Sequence, residues 1–203
     1  MSAYEWINET FWGMDAGIFR AVNEMANNMP WINKIARFIS YFGDHGYFFI
    51  LLTVVLLVFR KTRKIGLVMA FGLLFNHIFN NMFLKELIAR PRPYNSVLEF
   101  RLMWEAHSSA FEKSLSFPSG HTSMAALIGG ALFIMLNKKY SWVFLLIPLL
   151  MGWSRIALFV HYPSDVLAGL ITGTIAVVFG FFITKLLLKW KFVEKLTTGD
   201  KLF

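Results

Sequence analysis

Cysteine is absent from the 203 residues, which excludes a disulfide framework, a thiolate nucleophile and a cysteine-ligated metal. Charge is scarce as well. Only 16% of the residues are Asp, Glu, Lys or Arg, against 57% hydrophobic and 17% aromatic, and such a balance excludes an ordinary soluble domain. The opening stretch MSAYEWINETFWGMD has no basic segment leading into an apolar one, so no cleaved signal peptide is expected. The first true span would then serve as the insertion signal. Neither an internal repeat nor a low-complexity tract breaks the chain, and residues 1–203 read as a single membrane-embedded domain. The net charge of +8 sits in short clusters beside apolar runs, a pattern that suits an anionic lipid bilayer rather than nucleic acid. No obligate protein partner is evident.

Long apolar runs are what the sequence has in their place. Five segments approach the ~20 residues that cross a bilayer as a helix: Gly46–Phe59, Ile65–Leu84, Gly120–Leu136, Ser141–Phe159 and Val166–Leu188. The first is short and must borrow residues from upstream. Residues 14–45 carry apolar positions at helical spacing, interrupted by Arg20, Glu24, Lys34 and Arg37. They read as a weak sixth span or as an interfacial helix pair broken at Pro30. The fold expected is an all-α polytopic bundle. The basic clusters RKTRK (60–64), KKY (138–140) and KWKFVEK (189–195) follow alternate span ends, which puts all three on one side, the cytoplasmic side by the positive-inside rule. The long loop 94–117 and the turn VHYPSD then lie on the extracytoplasmic side, while the tail TTGDKLF reads as a solvated end.

Three polar constellations share that second side. KELIARPRP supplies Lys85, Arg90 and Arg92 where Pro91 and Pro93 end a span. Snorkelling basic side chains would explain such a cluster, but not on the side that the positive-inside rule disfavours. FPSGHTS brings Ser119 and Gly120 to the first turn of a membrane helix, where free amides and the dipole favour an anion, with His121 directly after. Taken alone, these residues are better read as an N-cap serine and an exposed histidine. SRIALFVHYPSD places Arg155 near the end of an apolar run, His161 just beyond it and Asp165 four residues further on. Asp165 is the nearest acid to Arg155 and could pair with it, or it could accept a hydrogen bond from one nitrogen of His161 and leave the other as a base or nucleophile. Several cations, a helix N-terminus, two histidines and a carboxylate on one face suit a phosphoryl group handled without a metal ligand set or cofactor.

In these motifs the sequence resembles the type 2 phosphatidic acid phosphatase superfamily of integral-membrane lipid phosphate phosphatases. Lys85, Arg92 and Pro93 match its first signature, whose spacing selects Arg92 over Arg90; Pro118–His121 match the second; Ser154, Arg155, His161 and Asp165 match the third. The resemblance implies a six-helix bundle with its active site at the extracytoplasmic face of the cell membrane. It implies His161 as nucleophile forming a phosphohistidine, Asp165 orienting its ring, and His121 as general acid and then base. It further implies Lys85, Arg92, Ser119, Gly120 and Arg155 as the phosphate-binding set.

Two other classes compete on the residues alone: a serine hydrolase built from Ser119, His161 and Asp165, which leaves the cations idle, and a lipid transporter, whose polar groups should lie at mid-membrane. No substrate code is readable in the loop 94–117; the resemblance implies phosphatidylglycerophosphate first, with undecaprenyl diphosphate and phosphatidic acid as alternatives.

Overall fold

Proline and glycine divide the N-terminal region. In the computed structural model, which describes residues 1–108, 110–136 and 139–189, helix α1 (Ala3–Asn28) opens on a capping box. Ser2 Oγ accepts the Glu5 N–H at 3.4 Å, and Glu5 Oε2 accepts the Ser2 N–H at 2.6 Å. It stops before Pro30, and α2 (Trp31–Tyr41) follows. The chain then kinks through a 3₁₀ turn, Asp44–Gly46, where His45 (φ 55°) and Gly46 (φ 71°) are left-handed, and enters α3 (Tyr47–Val58). Helix α4 (Arg63–Asn76) continues into a π-helical segment, His77–Leu84, and the short α5 (Lys85–Ile88) before the prolines.

The segment 94–117, expected as a loop, contains two helices, α6 (Pro93–Ser96) and α7 (Leu98–His107). Helix α8 (Gly120–Met135) returns through the bundle, a 3₁₀ turn (Ser141–Leu145) leads into α9 (Leu146–Ala157), and α10 (Pro163–Leu187) completes it. No strand occurs among the described residues. Lys138, residues 190–195 of KWKFVEK and the tail TTGDKLF lie outside the described residues.

Trp31–Val58, Arg63–Ser96 and Pro163–Leu187 are helical stretches long and apolar enough to cross a membrane, and Gly120–Met135 and Ser141–Ala157 are shorter apolar helices. They coincide with the five expected spans, the first borrowing from α2 as anticipated. Apolar side chains also cover the outside: Phe48, Leu51, Ile171, Phe179 and Phe182 are exposed, the inverse of a soluble surface and the pattern lipid tails require.

Buried Val68, Met69, Leu127, Ile128 and Val177 form the core where α4, α8 and α10 meet. With lipid outside, close backbone approach and internal hydrogen bonds must hold these helices together. A Cβ at Gly180 would stand 2.2 Å from the Val68 carbonyl oxygen, so only hydrogen fits there. Asn80 Nδ2 donates to Asn76 Oδ1 at 2.7 Å and to Thr172 Oγ1 at 3.1 Å, and Asn76 Nδ2 donates to Ser123 Oγ at 3.1 Å, tying the same three helices.

Along α1, Asn8 bonds Arg90, Asp15 bonds Arg90 and Ser164, Arg20 pairs with Glu99, and His107 Nε2 lies 2.9 Å from Asn23 Oδ1. Helix α1 is thus tied along its length to the segment after α5, to α7 and to the start of α10.

Candidate active site

His161 occupies the turn between α9 and α10, 1% exposed, with Arg92 against it. Arg92 Nη1 lies 2.8 Å from His161 Nε2. A guanidinium can only donate, so Nε2 accepts with its lone pair and the ring proton of the neutral imidazole falls on Nδ1. Burial, with Arg92, Arg155 and Lys85 nearby, holds His161 well below its usual pKa, in the neutral form that can act as a nucleophile. Arg92 is itself fixed, donating to the Val160 carbonyl (2.8 Å), the Ser114 carbonyl (2.8 Å) and Ser114 Oγ (2.9 Å).

Asp165 faces the other ring nitrogen but does not bond it. Its Oδ2 is 3.6 Å from His161 Nδ1, beyond hydrogen-bond reach, and Nδ1 is otherwise without a partner. The carboxylate is held by Ser116 Oγ (2.5 Å), the Tyr162 N–H (3.0 Å) and Arg90 Nη1 (2.6 Å). The expected hydrogen bond is therefore a directed contact, of the kind that tightens when substrate closes a site. The suggested Arg155–Asp165 pair is absent. Asp165 takes its cation from Arg90, which the signature passed over, and Arg90 also bonds Asp15 Oδ2 at 2.9 Å, Ser164 Oγ at 2.7 Å and lies 3.7 Å over the Tyr162 ring.

Arg155, buried in α9, donates to Ser40 Oγ and to Glu112 of the long loop. Glu112 also reaches Arg92 at 3.5 Å. Burial pushes this carboxyl up, but Arg155 and Arg92 outweigh burial and hold it below the usual carboxylate range. Lys85 Nζ approaches Ser114 Oγ at 3.4 Å, so Ser114 links it to Arg92.

At the start of α8, the Ser119 N–H donates to the Asp165 carbonyl at 3.0 Å, joining two helix ends. Ser119 Oγ is engaged as the N-cap, 3.4 Å from the Thr122 N–H and 2.9 Å from its hydroxyl. That is the structural role also open to it from sequence, and it is no serine–histidine couple. A Cβ built at Gly120 would lie 3.8 Å from Asn81 Oδ1 and 4.0 Å from Lys85 Nζ, so the Gly120 backbone borders Lys85. His121 Nε2 meets Asp44 Oδ1 at 3.0 Å. Gly43 is needed beside it, since a Cβ there would fall 2.4 Å from the imidazole Cδ2.

The structure thus gathers Lys85, Arg92, Ser119, Gly120, His121, Arg155, His161 and Asp165 at one end of the bundle, with three basic side chains, a helix start and an unprotonated imidazole nitrogen turned toward them. A family model described as PAP2 superfamily matches residues 61–191. The chain belongs to the PAP2 superfamily.

Among its relatives in the superfamily is an undecaprenyl-diphosphatase of Sulfolobus acidocaldarius, 29% identical over 163 residues, 80% of this chain and 74% of that protein. Another is the undecaprenyl-diphosphatase BcrC of Bacillus subtilis, 30% identical over 172 residues, 83% of this chain and 81% of that one. The solved structure of a PAP2-type phosphatidylglycerolphosphate phosphatase from Bacillus subtilis superposes with a TM-score of 0.65 at 27% identity, over 92% of this chain and 87% of that one. As a PAP2 member the protein is a membrane phosphatase, a hydrolase.

Sequence reasoning did not single out Asp44, Glu112 or Ser114 as site residues, and it set Arg90 aside. For Arg90 a signal existed, because an arginine directly before a proline at a span end needs an anion. Glu112 lies in the long loop and Asp44 at the end of a stretch read for its apolar spacing, and neither belongs to a motif that would have marked it.

Proposed function

We propose that this PAP2 phosphatase hydrolyses a polyprenyl diphosphate to the monophosphate and inorganic phosphate through a phosphohistidine on His161. The 2.8 Å approach of Arg92 to His161 Nε2 carries the reading, because it directs the nucleophilic lone pair at a guanidinium that would hold a phosphoryl oxygen. Arg155, Lys85 and the Gly120 amide would complete the cradle, and such fixed cations supply the charge stabilisation on which phosphoryl transfer depends. His161 Nε2 attacks phosphorus as the bridging P–O bond breaks. The leaving oxygen takes a proton from His121, which Asp44 orients, and His121 then withdraws one from the water that cleaves the N–P bond. Asp165 holds the ring through its Nδ1 side.

The diphosphate reading rests on the two undecaprenyl-diphosphatases among the relatives, and it displaces phosphatidylglycerophosphate, favoured from sequence, as the first choice. The phosphatidylglycerolphosphate phosphatase superposition supports that monoester as the second. The distribution of RKTRK, KKY and KWKFVEK supports a site on the extracytoplasmic side of a plasma membrane. The cationic cradle also supports turnover without a divalent metal.

Purified protein given undecaprenyl diphosphate, phosphatidylglycerophosphate and phosphatidic acid should release phosphate fastest from the diphosphate, with and without EDTA. Preference for phosphatidylglycerophosphate would overturn the substrate assignment. Loss of activity on chelation, restored by magnesium, would overturn the metal-free one.

A further inference from the structure

A cavity of about 770 Å³ adjoins the candidate site on the side of α3 and α4. Lys85, Gly120 and His121 form its inner wall, and Ile50, Leu73 and Met124 line the part toward the membrane interior. Between these walls it is polar, lined by His77, Asn81 and Lys113 together with the carboxylates Asp44 and Glu112, which are engaged by His121 and by Arg155. The mechanism above uses neither His77 nor Asn81.

His77 and Asn81 lie in the π-helical segment His77–Leu84, which leads directly into Lys85. His77, Asn81 and Lys85 are spaced four apart, the spacing that puts side chains on one face of a helix. The same segment turns Asn80 to the opposite side, where it bonds Asn76 and Thr172. Asn81 Nδ2 lies 3.3 Å from His77 Nδ1, so the two side chains form one polar strip leading from Lys85 toward the apolar wall.

We propose that His77 and Asn81, with Lys85 shared between the two phosphates, bind the inner phosphate of a lipid diphosphate, the one that stays on the lipid. This rests on the phosphatase reading. If His161 attacks the terminal phosphorus, the leaving group departs past His121, and Lys85, Asn81 and Gly120 line the same cavity as His121. A monoester brings no second phosphate to that strip. The strip therefore selects diphosphates over monophosphates and points the chain toward Ile50, Leu73 and Met124.

The test compares kcat/KM for farnesyl diphosphate and farnesyl monophosphate, identical in their apolar part, with the full-length protein in detergent. His77→Ala and the isosteric Asn81→Asp, which sets a carboxylate against the phosphate, should each lower the diphosphate-to-monophosphate ratio by about tenfold, mainly through KM. Ile78→Ala, on the exposed side of the same segment, should leave the ratio unchanged. If wild type turns over farnesyl diphosphate and neither His77→Ala nor Asn81→Asp moves the ratio, or both substrates fall equally, the subsite is refuted and the phosphatase reading stands. If wild type releases no phosphate from farnesyl diphosphate, the diphosphatase reading itself falls.

Discussion

Arg90 offers the most demanding test of how the site is held. Its guanidinium is 1% exposed and reaches Asp165, Asp15, Ser164 and Asn8 at 2.6, 2.9, 2.7 and 2.8 Å. Arg90→Met keeps the volume and strands two buried carboxylates. Removing one partner of a buried ion pair costs about 3–5 kcal/mol, because the desolvated charge left behind has no compensation. Asp165 and Asp15 each keep two other donors, which places the expected loss at the lower end, about 3 kcal/mol. At roughly 2–4 °C per kcal/mol for a chain of this size, the thermal midpoint in detergent should fall by on the order of 10 °C.

The control is built into the same helix. Arg20–Glu99 also ties α1 down, but its side chains are 58% and 39% exposed, and an exposed pair contributes about 0–1 kcal/mol. Arg20→Ala should hardly move the midpoint. Adding Asp15→Asn to Arg90→Met should recover part of the loss by neutralising one stranded carboxylate. Because Arg90 fixes Asp165 and touches no reacting atom, kcat should drop with KM little changed, while a purely structural residue would lower the active fraction and leave kcat per folded molecule intact. A midpoint for Arg90→Met within a degree or two of that for Arg20→Ala would refute the reasoning.

His161→Ala should yield no phosphoenzyme from a phosphorus-32 diphosphate, whereas His121→Ala should accumulate acid-labile, base-stable label, since water attack lacks its base; equal labelling of both would remove His161 as nucleophile. His121→Ala should lose about 10²–10⁴ in rate on a monoester with a poor alkoxide leaving group and far less on an activated aryl phosphate. Single cysteines replacing Lys113 and Lys61 should label differently from outside intact cells, with Lys113→Cys reactive and Lys61→Cys protected; the reverse pattern would invert the orientation.

Much of the site was legible because it is written in spacing. Lys85 and Arg92 stand at the end of one span, Ser119 to His121 at the start of the next, and His161 with Asp165 at a turn, so counting crossings brings them to one face. Which charge pairs with which was not legible. Proximity in sequence suggested Asp165 for Arg155, but Asp165 bonds Arg90, 75 residues away, and Arg155 bonds Glu112, 43 away. Pairing of buried charges is settled by which helix ends meet, and here Asp15 of α1 brings a second carboxylate to Arg90, which leaves Arg155 to the long loop.

The N-terminal region was ambiguous for a related reason. Hydropathy averages over a helix, whereas α1 is held by four polar residues, Asn8, Asp15, Arg20 and Asn23, whose partners lie far away in the chain. The π segment was equally hidden, because His77–Leu84 is composed like any apolar helix and its irregularity appears only in the hydrogen bonds. His77 and Asn81 come to the cavity through their four-residue spacing from Lys85, which the sequence shows, but that α3 and α8 close a cavity over them is a matter of packing that it does not. The proposed discrimination between one phosphate and two rests on that packing.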